Sequence, residues 1–226
     1  MSTYSSLGKK IFMGFSGLML CGFIVVHLIG NLALLSPDKD PFNKYAHFLT
    51  TEVGSLIYIA EFILASIFII HFIYGIVVTI DNWRARPKGY TIVKDAKHTS
   101  KKSLASKTMI YTGILIITFL VWHLMHFKFG EIVLYTTADG KVIPDLYVLV
   151  YKFFGNTVNV ILYIAVMVLL GFHLSHGFWS AFQSLGLNGK RFTPFIYGLA
   201  AVFAVVMATG FIVLPVWIFI ISGGAL

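Results

Sequence analysis

Five apolar blocks constrain this chain more than anything else in it. They run over about residues 11–35, 53–80, 108–127, 156–182 and 194–221. Each is about 20 residues or longer, and at about 1.5 Å per helical residue that length crosses a hydrocarbon core of about 30 Å. Backbone in lipid must satisfy its own hydrogen bonds, so blocks of this kind become helices. The composition agrees: 58% of the 226 residues are hydrophobic and only 12% are charged, where a soluble domain carries about 25%. The expected fold is all-α: a single membrane domain over residues 1–226, built as a bundle of five transmembrane helices. One bundle is expected because polar side chains inside the blocks need neighbours to hide them from lipid.

A net charge of +8 invites a nucleic-acid partner. Its distribution argues against one. With the N-terminus on the cytoplasmic side, twelve of the seventeen Lys and Arg residues fall in inner segments and five in outer ones. That is the positive-inside pattern. Asp38, Asp40, Glu52, Glu131, Asp139 and Asp145 all fall outside, and five crossings leave the C-terminus there too. The expected location is the inner (cytoplasmic) membrane, multi-pass, with the lipid bilayer as the surrounding phase. The first block begins with "KK", but it is too long for a cleavable signal and no small-x-small site follows, so it is expected to stay as a helix. The single Cys21 can form no intrachain disulfide and reads as a packing residue.

Between the blocks, the basic segment 82–107 contains Pro87 and Gly89, which argue against one continuous helix. It serves either as a topology-setting loop or as a docking face for a soluble partner. The outer segments "SPDKDPFNKYAHF" and "FKFGEIVLYTTADGKVIPDLY" read as short loops, the second with a hairpin around Asp139 and Gly140. Pro215 predicts a kink in the fifth helix. No strong internal repeat is visible, although the first two helices loosely resemble the third and fourth.

The polar oddity is histidine. Six of the eight lie in apolar blocks: His27, His71, His123, His126, His173 and His176. A buried imidazole without a partner costs a few kcal/mol, so each needs a hydrogen bond or a ligand. Depth sorts them. At about 1.5 Å per residue, His27 and His123 lie about 25 Å from the inner polar edge, whereas His71 and His173 lie about 15 Å from it. Each level draws from two helices. Two imidazoles from facing helices at one depth suit the axial positions of a haem iron, so the pattern predicts two bis-histidine haems b. Any one of these histidines alone could equally be a hydrogen-bonded packing residue. Zinc fits less well, since no cysteine or carboxylate completes a four-ligand set. Gly30, Gly75 and Gly177 follow their histidines by three or four residues, on the same helical face, and are candidates to face a flat ring.

These residues bring a family into view. "HLIGNL", "FNKYAHF", "IIHFIYGI", "VWHL" and "GFHLSHGFWSAF", in this order over about residues 20–185, resemble the di-haem cytochrome b membrane anchor of succinate dehydrogenases and fumarate reductases (succinate:quinone oxidoreductases), in its single-polypeptide, five-helix form. The resemblance implies that His27 and His123 ligate the iron of the outer haem, and His71 and His173 that of the inner haem. It implies an FAD-carrying flavoprotein subunit and an iron–sulfur subunit on the inner side, a membrane quinone, expected to be menaquinone, and assembly into a complex that can oligomerise further. Dicarboxylate chemistry would occur on the flavoprotein, while this chain transfers electrons in the respiratory chain. His126 and His176 follow the matched positions and keep open roles, as supporting or propionate- or quinone-side groups.

Glu61 is the one acidic residue well inside an apolar block, near the outer end of the second. It is a candidate proton acceptor from a quinol, or else a hydrogen-bonded helix-end glutamate. His47 and Tyr45 precede that helix on the outer side, as quinone or haem contacts or as interfacial residues. Trp83, Arg84 and Arg86 lie at the inner mouth, where an arginine could meet a haem propionate, and Trp122 and Trp179 are expected to pack beside the haems or in lipid. Two other readings stay open. One is the di-haem subunit of a different respiratory dehydrogenase. The other is a proton pathway or transporter lined by histidine.

Overall fold

The computed structural model describes residues 6–85, 104–187 and 189–223. Residues 86–103, which form most of the polar segment expected as a topology loop or docking face and include Arg86, Pro87 and Gly89, lie outside the described residues. Helix α1 (Ser6–Asn31) continues as a 3-10 turn over Leu32–Leu35. Then come α2 (Asp40–His47), a π turn (Phe48–Glu52), α3 (Leu56–Arg84), α4 (Leu104–Phe127), strands β1 (Leu134–Thr136) and β2 (Val142–Pro144), α5 (Leu146–Phe154), α6 (Thr157–Ser184) and α7 (Phe192–Ile221). Five helices are long and apolar enough to span a membrane: Leu7–Leu35, Leu56–Arg84, Thr108–Phe127, Thr157–Ser184 and Phe192–Ile221.

Local chemistry sets the boundaries. Gly54, at φ 63°, breaks the π turn in a conformation disfavoured for other residues, so α3 starts at Leu56 rather than at 53. The Asn156 side chain accepts from the backbone N–H of Val158 and Asn159 and starts α6. Helix α7 continues through the buried Pro215 to Ile221.

Helix α6 is the hub, packing on α1, α4 and α7. Without water to expel, helices in lipid associate through close contact at small residues. A Cβ added at Gly171 of α6 would sit 3.1 Å from Ala208 of α7, and one at Gly14 of α1 would sit 3.2 Å from the Ala181 carbonyl oxygen of α6. By contrast, α3 has no buried residue and packs mainly on α1.

The two segments expected as loops instead fold into a cap. Asp145 caps α5 by accepting from Val148 N–H, pairs with Lys39 at 2.7 Å, and accepts from Asn43 Nδ2 at 2.8 Å. The fully buried Asn43 in turn accepts from Tyr147 N–H at 2.8 Å. The Tyr147 and Tyr151 hydroxyls donate to the Ser36 and Leu34 carbonyls, tying α5 to the end of α1. The hairpin does form, with Tyr135 opposite Ile143 and Gly140 at φ 83° in the turn. Lys44 joins it to α2 by bridging Asp40 (3.2 Å) and Asp139 (3.0 Å). The Lys44 hydrogen bond holds the Asp139 carboxyl down at about 2, and the Tyr135 hydroxyl holds Asp40 below the usual carboxylate range. Burial, followed by that Asp40 bond, pushes Tyr135 up to about 12.

Candidate functional site

The bundle brings the four histidines together in two pairs. His27 of α1 meets His123 of α4 with ring centroids 5.9 Å apart and planes at 85°. His71 of α3 meets His173 of α6 at 6.4 Å and 68°. The first pair lies toward the cap and the second toward the opposite end, where Lys9 of α1 pairs with Asp81 of α3 at 2.6 Å. Among the described residues, no three His, Cys, Asp or Glu side chains converge, so each pair offers two donors and no more. A macrocycle that fills the remaining positions of its own metal requires only two. With metal–nitrogen bonds of about 2 Å, two imidazoles sharing one metal from opposite sides have centroids about 6 Å apart. Both pairs are close to that separation, so the residues present fit haem iron.

The surroundings of the pairs differ. At the capped end the walls are aromatic: Phe23 stacks on His27 at 5.4 Å, and Phe119 and Phe127 lie 5.7 and 5.1 Å from His123. The buried Tyr163 of α6 places its hydroxyl 2.9 Å from His123 Nδ1. His27 has a weaker neighbour. Asn31 Nδ2 donates to the His27 carbonyl at 2.7 Å and stands 3.5 Å from both ring nitrogens. At the opposite end the support is duplicated: Ser16 Oγ lies 3.1 Å from His71 Nδ1, and Thr112 Oγ1 lies 3.0 Å from His173 Nδ1.

The expected glycines sit beside other residues. An added Cβ at Gly30 would meet the Tyr45 ring at 2.6–2.9 Å, at Gly75 the Met13 methyl at 3.4 Å, and at Gly177 the Met109 methyl at 3.8 Å. The glycines that touch imidazoles are Gly17 and Gly113, on the facing helices, where a Cβ would lie 3.1 Å from His71 Cε1 and 3.6 Å from His173 Cε1. Sequence reasoning missed Ser16, Gly17, Thr112, Gly113 and Tyr163. A signal for the first four was present: Met13, Ser16, Gly17 and His27 recur at one constant offset as Met109, Thr112, Gly113 and His123. His71 and Gly75 likewise recur as His173 and Gly177. The repeat is a helix pair, α1–α3 against α4–α6, too sparse in identical residues to stand out along the chain.

The remaining candidates are placed as follows. His126 donates Nδ1–H to the Trp122 carbonyl of its own helix at 2.8 Å and packs against Trp122 and Phe153 at 4.9 and 5.0 Å. His176 meets Trp179 edge-on at 5.1 Å, and its buried Nδ1 has no partner among the described residues. Glu61 forms an ion pair with Lys128, which follows α4, and both side chains are partly exposed. His47 lies 3.3 Å from Thr51 Oγ1 and lines a groove of about 240 Å³ between α2 and the hairpin, with Lys44, Glu52, Asp139 and Lys141. Trp83 and Arg84 are exposed at the end of α3. Cys21 is buried in the core.

Fold and site together define a class: a multi-pass helical membrane protein holding two pairs of imidazoles at two depths of one bundle. No protein-family model matches the chain, and neither a curated protein nor a solved structure matches it.

Proposed function

We propose that this chain is the di-haem cytochrome b membrane anchor of a succinate:quinone oxidoreductase, carrying electrons between an iron–sulfur subunit and a membrane quinone, with menaquinone the expected quinone. The observation that carries the reading is the double pairing: four histidines from four helices meet two by two at 5.9 and 6.4 Å. Haem b bound at each pair supplies a one-electron carrier. Nε2 of His27 and His123 would hold one iron, and Nε2 of His71 and His173 the other. Nδ1 of His176, one turn from His173 and without a partner among the described residues, is a polar atom placed to meet a haem carboxylate or a quinone oxygen. Lys9, nine-tenths buried beside Asp81, places a cation at the same end. In this reading that end faces the cytoplasm and the FAD-carrying and iron–sulfur partners, and the membrane is the inner one.

A quinol that gives up two electrons also loses two protons. Glu61, at the other end of α3, is the carboxylate proposed to take them one at a time, passing the first on to water before it takes the second, with Lys128 holding its charge in place. The test is a visible spectrum and haem quantification of the purified chain. Two b-type haems per chain are expected, and a preparation with no Soret band would sink the proposal in favour of a histidine-lined proton path. Co-purification of a flavoprotein active on succinate or fumarate separates this reading from the subunit of a different dehydrogenase.

A further inference from the structure

The support of the His71–His173 pair is built twice from one kind of dipeptide, Ser16-Gly17 on α1 and Thr112-Gly113 on α4. Each hydroxyl is already committed as a donor. Ser16 Oγ donates to the Phe12 carbonyl at 2.7 Å, with the Met13 carbonyl at 3.2 Å. Thr112 Oγ1 faces the Thr108 and Met109 carbonyls, both at 3.1 Å. A hydroxyl has one proton, so an oxygen that spends it on a carbonyl can only accept from the ring. The adjacent glycine lies against the ring: an ideal Cβ would stand 3.1 Å from His71 Cε1 at Gly17, a tight contact, and 3.6 Å from His173 Cε1 at Gly113, an ordinary one.

Back-bonding alone would mean nothing, since membrane helices satisfy hydroxyls in this way as a rule. Ser66, Thr79 and Thr118 also do so, donating to the carbonyls of Phe62, Gly75 and Ile114. What sets Ser16 and Thr112 apart is the second contact, across helices, on the same ring atom of each member of one pair.

We infer that Ser16 and Thr112 are positioning residues that lock His71 and His173 in the Nδ1–H tautomer and aim both Nε2 lone pairs into the space between them, making this pair a preset ligand set tuned by two neutral acceptors. The capped-end pair has a single comparable partner, Tyr163. The inference rests on the proposal that haem iron occupies the pairs. An acceptor on the far nitrogen makes a ligating imidazole more basic and favours the oxidised metal. Loss of both hydroxyls should therefore shift this haem toward the reduced state.

The experiment is a redox titration, followed by visible spectroscopy, of the full chain in membranes. It compares the unsubstituted protein, Ser16→Ala, Thr112→Val and the double variant, with Thr118→Val as control. The component belonging to this pair is the one that His173→Ala removes. At a fixed ambient potential, the double variant should lower the oxidised-to-reduced ratio of that component about threefold or more, since outer partners of ligating histidines are worth about 10–100-fold in metal affinity. The other component and the Thr118→Val titration should not move. Thr112→Ser, which keeps the acceptor, should titrate like the unsubstituted protein. Unchanged midpoints in the double variant, or equal movement of both components, would overturn the inference while leaving the two-haem reading intact. Absence of two b-type haems in the unsubstituted chain would instead remove the reading beneath it. If the double variant fails to accumulate, the two single variants carry the test.

Discussion

The two histidine pairs share a donor type and a separation, but different rules hold them. The His71–His173 pair is nearly two-fold symmetric: each ring meets one hydroxyl at 3.0–3.1 Å and one glycine on the facing helix, and a methionine packs on each following glycine. The His27–His123 pair has lost that symmetry. His123 meets Tyr163, whose counterpart in the repeat is Glu61, and His27 has only a distant amide. Haem potential depends on bonds to axial ligands, polarity and burial. With haem iron at both pairs, as proposed, a duplicated helix pair with two unequal sites would give two carriers of different potential from one design. The unequal end is also the end that bears Glu61, Lys128 and the cap.

The sharpest way to break this comparison is to remove the rings. His71→Ala or His173→Ala should delete one of two b-type haems and spare the other, and His27→Ala or His123→Ala should do the converse, read as haem per chain and as components of a redox titration. His126→Ala and His176→Ala should retain both haems. If His176→Ala deletes a haem while His173→Ala does not, the pairing is wrong. Next in size is Glu61→Gln, expected to leave both haems in place but lower quinol turnover by about 100-fold, the scale of a lost proton acceptor. Breaking the partly exposed ion pair with Lys128 costs at most about 1 kcal/mol, so a folded, haem-loaded and slow variant is expected. Unchanged turnover would remove Glu61 from the mechanism.

Glycine substitutions probe the packing around each pair. Gly30→Ala places a methyl 2.6–2.9 Å from the Tyr45 ring and must push it aside, at about 1–3 kcal/mol for an overpacked contact. Gly113→Ala places one at an ordinary 3.6 Å from His173 and should fall within about 1 kcal/mol of neutral. Thermal unfolding in detergent should separate the two, and equal behaviour would mean that Tyr45 does not hold α2 against α1.

The spanning helices and the paired histidines are legible in the sequence for a physical reason. A bilayer imposes one length and one polarity on whatever crosses it, so five blocks and six intramembrane histidines stand out against a sparse background. The same uniformity hides the rest. Ser16 and Gly17 resemble the serines and glycines of any membrane helix, and only contact with His71 gives them meaning. The cap is concealed differently. "LYVLVYKFF" lies between the apolar blocks, where only loop was expected, and its valines and aromatic rings are common in strands, yet it forms α5 because Asp145 caps it and Tyr147 and Tyr151 reach back to the segment after α1. Helix α2 begins among Pro41 and three nearby charges that read as a turn.

The cap offers the smallest effect and the most direct contrast with the histidine pairs, because its chemistry is aqueous and titrates. The depressed Asp40, Asp139 and Asp145 carboxyls each favour the folded cap at pH values above their unfolded value near 4. For Asp145 the Lys39 and Asn43 bonds outweigh a burial that alone would raise it. That contribution fades as pH falls from about 4 toward the Asp139 value of about 2. Tyr135, raised to about 12, favours the fold below its unfolded value near 10, and its contribution is lost as pH climbs through 12. Hydrogen exchange of the hairpin amides should therefore be protected most between about pH 4 and 10 after correction for intrinsic rates, while amides in α6 keep their protection across the range. Asp139→Asn should soften the acid edge and leave the alkaline one. If the hairpin and α6 lost protection together, the cap would be part of the bundle's cooperative unit rather than a separate aqueous layer on it.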